Sequence, residues 1–362
     1  MSLSRIVRCS SRRLLSTYTR PIKVLGIETS CDDTSAAIVT SDRQILAEIV
    51  HGQQELHEPM GGIVPTLASM GHSRNLPSVI CETLDRAGLT VQDLDAIAVT
   101  RGPGLPPCLP VGLNAAKTLA AVSKKPLIGV HHMEAHALTA RLTTDSHLNQ
   151  PSPAFPFMTL LISGGHTLLL TCNDIGNYDE LGTTLDNAVG EAIDKTARLL
   201  KLGWIKGRRG GPGAALEKAA LQGDPERYLS RLPTPMLQRN KSVIGFSFSG
   251  IKTAVARLVE TDNLVDLGNP QDVSDVAAAF QFTCIQHLEQ KLTLALEREI
   301  VQLKALAHAY SLPLICPPPQ LCTDNGVMIA WAGLERFQAG LIDDYTITTL
   351  PKWPLETLRF RN

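Results

Sequence analysis

From Lys23 onward the chain alternates short apolar runs with polar turns and longer stretches of helical periodicity. Val24-Leu25-Gly26-Ile27 and Ala36-Ala37-Ile38-Val39 flank the polar turn Glu28 to Thr34. Apolar runs of this length, bounded by turn residues, predict buried strands. Ile45 to Val50 predicts a third strand, and helical text covers about Ile63 to Ala87, with His72-Ser73-Arg74 in its middle. A strand from Ala96 to Thr100 leads into the breaker-rich Arg101-Gly102-Pro103-Gly104, and a helix is expected from about Gly112 to Ala121. Leu127 to Val130 then runs as a strand directly into a helix carrying His132 and His136.

Pro151-Ser152-Pro153 marks a hinge, and beyond it the opening repeats: strand Met158 to Ile162, turn Ser163-Gly164-Gly165-His166-Thr167, strand Leu168 to Thr171. Helices follow at about Leu185 to Leu200, at Ala214 to Gln222 after the glycine-rich stretch Gly207 to Gly213, from Ile251, and from Val276 to about Lys304. Cys316-Pro317-Pro318-Pro319 is rigid and extended, and Asp324 is expected to begin the last substantial helix. Strands alternating with helices predict an α/β protein. Two strand-turn-strand units opening two halves suggest duplicated lobes facing each other across a cleft. The expected organisation is a leader over 1–22, lobes over 23–150 and 151–346, and a tail over 347–362.

A chain of 362 residues is long enough for two such cores, and 44% hydrophobic residues with 4% aromatic is ordinary for the class. No apolar run reaches the roughly 18 residues of a membrane-spanning helix, so no membrane partner is expected. Residues 1–27 carry six cations (Arg5, Arg8, Arg12, Arg13, Arg20, Lys23) and no acid, with serines and short apolar pairs between them. That is the composition of a mitochondrial transit peptide and points to the matrix. Without those six, 28 cations face 35 acids, a net charge of −7, so any contact with nucleic acid must come from a local patch. The eight cysteines form no C-x-x-C pair, which fits a reducing compartment and excludes a thiolate zinc site of that spacing.

The candidate chemistry lies in the turns and in three metal-ligand types. Two imidazoles four residues apart, His132 and His136, share one helix face and can reach a single ion. Asp324, in Thr323-Asp324-Asn325-Gly326, could add a hard ligand and leave positions for substrate. Otherwise the pair are core or helix-surface histidines. The zincin spacing H-E-x-x-H fails, since Met133 follows His132 and Glu134 is displaced by one. The turns Glu28 to Ser35 and Ser163 to Thr167 offer hydroxyls and backbone N–H groups to an anion, or are ordinary hairpins. In the first, Asp32 and Asp33 could hold a cation or orient a nucleophile. Asp194, mid-helix in Gly190-Glu191-Ala192-Ile193-Asp194-Lys195, could accept hydrogen bonds from a ribose or simply pair Arg198. The densest basic stretch holds Lys195, Arg198, Lys201, Lys206, Arg208 and Arg209, a candidate contact to a phosphate backbone or a solvated face.

Six segments taken in order resemble one family: Val24 to Thr34, His131-His132-Met133-Glu134-Ala135-His136, Ser163 to Thr167, Gly190 to Lys195, Phe246-Ser247-Phe248-Ser249-Gly250-Ile251-Lys252-Thr253, and Cys322 to Gly326. The family is that of the tRNA threonylcarbamoyladenosine transferases (Kae1/TsaD/Qri7), and with its leader the chain resembles the mitochondrial, Qri7-like branch. The resemblance implies two actin-like ATPase lobes of the RNase H-like class. It implies transfer of a threonylcarbamoyl group from threonylcarbamoyl-AMP to the exocyclic amine of the adenine 3′ of the anticodon, in mitochondrial tRNAs reading codons that begin with A. His132, His136 and Asp324 would bind one zinc or iron ion per subunit. Leu161, Ile162, Ser163, Gly164 and Gly165 would hold the adenylate phosphate, with Asp194 and Gly211 on the nucleoside side. Asp32 and Asp33 would orient or deprotonate the attacking amine. A YrdC/Sua5-like enzyme would supply the donor, and the chain would form a homodimer.

Two departures from the family pattern stand out. The stretch Gly203 to Pro212 is longer and more basic than the family's turn. Between the long helix and the proline-rich segment, where the family places a strand and a G-G-V-A-x-N loop on the adenosine, residues Arg298 to Ile315 contain no glycine. The expectation is the family fold with weakened nucleotide binding. The competing expectations are a non-catalytic scaffold and, less favoured, a metalloprotease; a kinase of the same fold class is more remote, because those enzymes lack the His132/His136 pair.

Overall fold

The computed structural model describes residues 20–143, 152–205, 210–235, 244–262, 264–307 and 315–358, with side chains of 296–307 left out. The chain divides into two compact units. The first comprises Met1–Phe157, Cys172–Tyr178 and Ile315–Asn362, and the second Met158–Thr171 and Asp179–Leu314.

In the first unit, β1 (Lys23–Glu28), β2 (Thr34–Thr40) and β3 (Ile45–His51) are followed by α1 (Gln54–His57), α2 (Pro65–Ala87), β4 (Ala96–Gly102), α3 (Leu109–Ser123), β5 (Leu127–His131) and α4 (His132–Thr143). The sheet order is β3-β2-β1-β4-β5. β1 and β3 run antiparallel to β2, while β4 and β5 continue parallel to β1. This is the order and polarity of an actin-like (RNase H-like) lobe. Every residue of β2 and β5 is buried, because both faces of the sheet are covered. Leu76, Val79 and Ile80 of α2 and Leu113 and Ala116 of α3 pack with Leu25, Ile27 and Ile38 on one face. On the other, Val24, Ala37, Ala98 and Val130 meet Leu138 of α4 and a helix from far downstream in the chain.

The second unit takes most of β6 (Phe157–Ile162), β7 (Thr167–Asp174) and β8 (Asn177–Thr184), then α5 (Val189–Leu199), α6 (Pro212–Ala220), α7 (Glu226–Leu229), β9 (Gly245–Phe246), α8 (Ser249–Ala256) and α9 (Pro270–Ala307). Its sheet has the order β6-β7-β8-β9. Phe246, Phe248, Val276 and Phe280 centre the core. β8 was not expected: Asn177 to Thr184 alternates Tyr178 and Leu181 with polar residues and carries no apolar run. Residues 308–314, where the family's strand would fall, lie outside the described residues; among the described ones β6 is the edge strand of this sheet, with Ile162 half-exposed.

The downstream helix is α10 (Gly326–Gln338), whose residues from Gly326 to Phe337 are all buried. An apolar helix of this kind must be enclosed, so the segment from Ile315 belongs with the first unit and not with the lobe 151–346 that chain order suggested. The tail follows it: Asp343 N–H donates to Leu127 O at 2.8 Å, Leu350 N–H to Arg101 O at 2.9 Å, and Leu355 and Leu358 are buried. At the other end, Arg20 pairs Asp95 through both guanidinium nitrogens at 2.9 Å, and Ile22 is in the core. Residues 20–22 therefore belong to the fold, and the rest of the expected leader lies outside the described residues.

Candidate functional site

The first unit brings three of the expected residues to one point. His132 and His136, one turn apart on α4, place their Nε2 atoms 3.3 Å from each other. Asp324 Oδ1 stands 3.3 Å from the first and 3.2 Å from the second. Three donors about 2.0–2.1 Å from a tetrahedral ion would be roughly 3.3–3.4 Å apart, so the triangle has the edges of one face of such a polyhedron.

Asp324 is not the start of α10, as its sequence suggested. Asn325 is the N-cap, accepting Met328 N–H at 2.8 Å, and its own amide donates to Leu321 O and Thr323 O. That fixes the turn before the helix and leaves the Asp324 carboxylate to face the imidazoles. α4 is held from its start by a residue the sequence did not single out. His131 Nδ1 accepts the N–H groups of Met133 and Glu134 at 3.1 and 3.4 Å, while its Nε2–H donates to Trp353 O at 2.8 Å.

Glu28 is the second unforeseen member. Fully buried at the end of β1, it places Oε2 3.2 Å from His132 Nδ1 and accepts the Thr100 hydroxyl at 2.5 Å and the Ser30 N–H. A carboxylate on the far nitrogen puts the proton on Nδ1 and leaves the Nε2 lone pair to a cation. Burial opposes the charge on His132, yet Asp324 and Glu28 overcome it and hold the imidazole well above its ordinary pKa. Burial likewise works against the Asp324 carboxylate, but His132 and His136 hold its pKa low. Two imidazoles and the partly exposed Asp324 carboxylate, with Glu28 behind His132, form a donor set that suits a divalent ion.

Asp32 and Asp33 lie half-buried in the β1–β2 turn. Burial, then the Asp324 carboxylate, push the Asp32 carboxyl above the ordinary range. The turn itself is not an open anion nest. Thr29, Ser30, Thr34 and Ser35 are all buried, and their hydroxyls serve the fold: Thr29 accepts Gly112 N–H, and Ser35 accepts Gly326 N–H. His72 of α2 clamps the turn, with Nε2 3.0 Å from Cys31 O and Nδ1 2.8 Å from the Thr34 hydroxyl. Burial drives the Cys31 thiol pKa up, so it is no thiolate nucleophile.

In the second unit the other turn is open. Gly164 and Gly165 are exposed, with nothing within 4 Å of where a Cβ would stand. Ser163 N–H closes the turn onto His166 O at 2.8 Å. A Cβ on Gly190 would lie 2.6 Å from Ser163 O, so only glycine lets the turn sit on the first residues of α5. Thr167 Oγ1 accepts Val189 N–H at 3.0 Å and fixes the contact. Glycine N–H groups over a helix N-terminus form a ready anion site. Leu161 is buried beneath it, and Ile162 is exposed beside it.

Asp194 lies on α5 with Arg198, and the Gly213 N–H at the start of α6 donates to its carboxylate; burial nonetheless raises its pKa. Gly211 is the N-cap of α6 with φ of +116°, a conformation that favours glycine. Asp194 and Gly211 thus meet at one helix start. Lys201 is exposed at the C-terminal cap of α5, and Lys206, Arg208 and Arg209 lie outside the described residues.

The motif Phe246 to Thr253 is built around His287 of α9, fully buried, whose Nε2 accepts Ser247 N–H at 3.1 Å with Phe246 and Phe248 edge-on to the ring. Burial, helped by Lys291, pushes the imidazole pKa down to about 4. The unfolded chain then takes up a proton near pH 6.5 that the folded chain refuses until about pH 4. Stability from this group is complete above pH 6.5 and is lost as pH falls toward 4. Urea titrations at pH 7 and pH 5 should differ by about 2 kcal/mol from this residue, and His287→Gln should shrink the difference.

Comparison with known proteins gives the family. The family description "tRNA N6-adenosine threonylcarbamoyltransferase" (TsaD) matches residues 44–331. A "probable tRNA N6-adenosine threonylcarbamoyltransferase, mitochondrial" of Arabidopsis thaliana is 42% identical over 371 residues, covering 92% of this chain and 74% of its own. The tRNA N6-adenosine threonylcarbamoyltransferase of Sphingopyxis alaskensis is 43% identical over 351 residues, covering 92% and 95%. Among solved structures, the activator of the 2-hydroxyisocaproyl-CoA dehydratase of Clostridium difficile superposes with a TM-score of 0.44 at 12% identity, over 89% of this chain and 99% of that one. On the extent and identity of the sequence matches, this chain belongs to the tRNA N6-adenosine threonylcarbamoyltransferase family.

Proposed function

We propose that the protein transfers the threonylcarbamoyl group of threonylcarbamoyl-AMP to the exocyclic amine of the adenine 3′ of the anticodon, in mitochondrial tRNAs reading codons that begin with A. Family membership supports the tRNA threonylcarbamoyltransferase activity itself. The observation that carries the chemistry is the triangle of His132, His136 and Asp324, with edges of 3.2 to 3.3 Å.

When bound there, a zinc or iron ion would supply Lewis acidity toward the carbamoyl oxygen. The residues do the rest. Glu28 keeps the His132 proton on Nδ1. The open turn Ser163 to Gly165 on the start of α5 offers N–H groups to the adenylate phosphate, and Asp194 and Gly211 shape the nucleoside side. Asp32, with its raised pKa, is the group suited to accept a proton from the attacking amine, and Asp33 beside it to orient that amine. Adenylate is a good leaving group, so positioning and charge stabilisation dominate. Exposed Lys201, with Lys206, Arg208 and Arg209, is assigned to the tRNA backbone. A YrdC/Sua5-like enzyme supplies the donor, the chain acts as a homodimer, and the matrix is its compartment, in keeping with the mitochondrial plant relative.

One observation favours a second reading. Between α9 and the proline-rich segment, residues Arg298 to Ile315 carry no glycine and no G-G-V-A-x-N loop. A chain without that loop fits reduced adenosine binding and service as a scaffold. A metalloprotease is disfavoured, because Glu134 is fully buried and turned to Arg336, unable to serve as a base. The deciding assay is transfer of labelled threonine to mitochondrial tRNA by the purified chain, with a Sua5-like partner, ATP and bicarbonate. Incorporation that disappears in His132→Ala is the expected result. No incorporation, with activity gained on inserting a G-G-V-A-x-N strand and loop after α9, would replace it with the scaffold reading.

A further inference from the structure

Glu134 stands on α4 two residues from each of His132 and His136. Two residues turn a helix by about 200°, which carries Glu134 off the face that meets Asp324. Its carboxylate is fully buried and accepts three donors: Arg336 Nη1 on Oε2 at 3.0 Å, and the Tyr178 hydroxyl and Gly176 N–H on Oε1 at 2.9 Å each. The Arg336 side chain is 7% exposed, so the ion pair is shielded from water. A buried pair gains little over a well-packed apolar one, and its use is geometric.

The geometry here is specific. Arg336 belongs to α10, the helix whose N-cap, Asn325, directly follows Asp324. α10 lies backbone to backbone on β1, since a Cβ on Gly26 would lie 2.2 Å from Ala330 N and 2.4 Å from Gly326 O. The Glu134–Arg336 pair therefore ties the helix bearing both imidazoles to the helix behind the carboxylate. Gly176 of the β7–β8 turn and Tyr178 of β8 hold the other carboxylate oxygen and prevent it from swinging.

We propose that Glu134 is a positioning residue, setting the distance of His132 and His136 from Asp324 through Arg336 and Tyr178, and so the affinity of the triangle for a divalent ion. The proposal rests on the metal reading of that triangle. It also assigns a use to the one acid lying between the two histidines.

The test is titration of the full chain, stripped of metal, with Co²⁺ followed by its visible absorption and with Zn²⁺ by calorimetry. Glu134→Gln keeps one oxygen for Tyr178 and Gly176 but sets an amide NH2 against Arg336, so both the charge and the acceptor facing the guanidinium are lost. The variant's affinity should fall about 10-fold or more, in the range typical of partners one step behind the ligands, with a displaced cobalt band. Because Arg336 is left buried without its partner, the metal-free melting temperature also falls, and the titration is made below that transition. Tyr178→Phe deletes one hydroxyl and no charge. It should weaken binding severalfold, and it decides the matter if the Gln variant does not fold. Parental affinity and an unshifted band in a folded variant overturn the positioning role, provided His136→Ala abolishes uptake. A parental chain that takes up no Co²⁺ overturns the metal reading and the proposal with it.

Discussion

His136→Ala is expected to lose its metal and its threonine transfer while keeping its fold. The residue supplies one of three converging donors, with Nε2 3.2 Å from Asp324 Oδ1 and 3.3 Å from His132 Nε2. Its side chain, 11% exposed, lies against His132 and Asp324 and not in the core, where Ala135, Ala137 and Leu138 of α4 make the contacts. Its truncation removes little packing, so metal-free stability should stay within about 1 kcal/mol of the parent, near the range of surface changes. Loss of a direct ligand exceeds the roughly 10–100-fold cost of losing an outer partner, so affinity should fall by more than about 100-fold. Ligation requires neutral imidazoles, and protons therefore compete with the ion as pH falls. Metal content after gel filtration, by elemental analysis, is the measurement. A variant that retains one ion per chain would remove His136 from the ligand set.

The largest effect on folding should come from Gly26→Val. A Cβ at position 26 would stand 2.2 Å from Ala330 N, 2.4 Å from Gly326 O and 2.7 Å from Ala330 Cα, all backbone atoms of α10. The contact is reciprocal in kind, since a Cβ on Gly326 would lie 2.6 Å from Ala36 C and Ala37 N. No side chain can yield here; β1 or α10 must move as a whole. Ordinary overpacking costs about 1–3 kcal/mol, and this substitution should exceed it, taking more than about 4 kcal/mol from a total of roughly 5–15. Because α10 follows Asp324, whatever folds should also lose the metal triangle. Chemical denaturation of the soluble fraction reads the first effect and Co²⁺ uptake the second. A loss under about 1 kcal/mol would show that the sheet and α10 can separate cheaply.

Much of this was legible along the chain because strand and helix patterns are local. Continuous apolar runs announced β1, β2, β4 and β5, and the breakers around Gly102 announced the end of β4. β8 escaped because its residues alternate Tyr178 and Leu181 with polar positions, a pattern with no apolar run to mark it. The start of α5 was placed too early because Leu185 to Ala188 reads as helical, whereas Asp186 there accepts from Ser247, Phe248 and Ser249 and breaks the run. The ligand triangle was visible in residue type and in the spacing of His132 and His136.

By itself, the sequence determined the α/β class, the histidine pair on one helix face, the glycine turn at 163–165 and the family. Each of these is a matter of residue type and short-range periodicity, which the chain carries wherever it folds. Only the tertiary structure decided that Asp324 returns to His136 across 188 positions, that Glu28 stands against His132 Nδ1, and that Glu134 faces Arg336. Those are pairings between distant residues, set by which apolar faces must be buried together. α10, buried along its length, could find that burial only between α4 and the sheet face of β1, β2, β4 and β5, and it brought Asp324 with it.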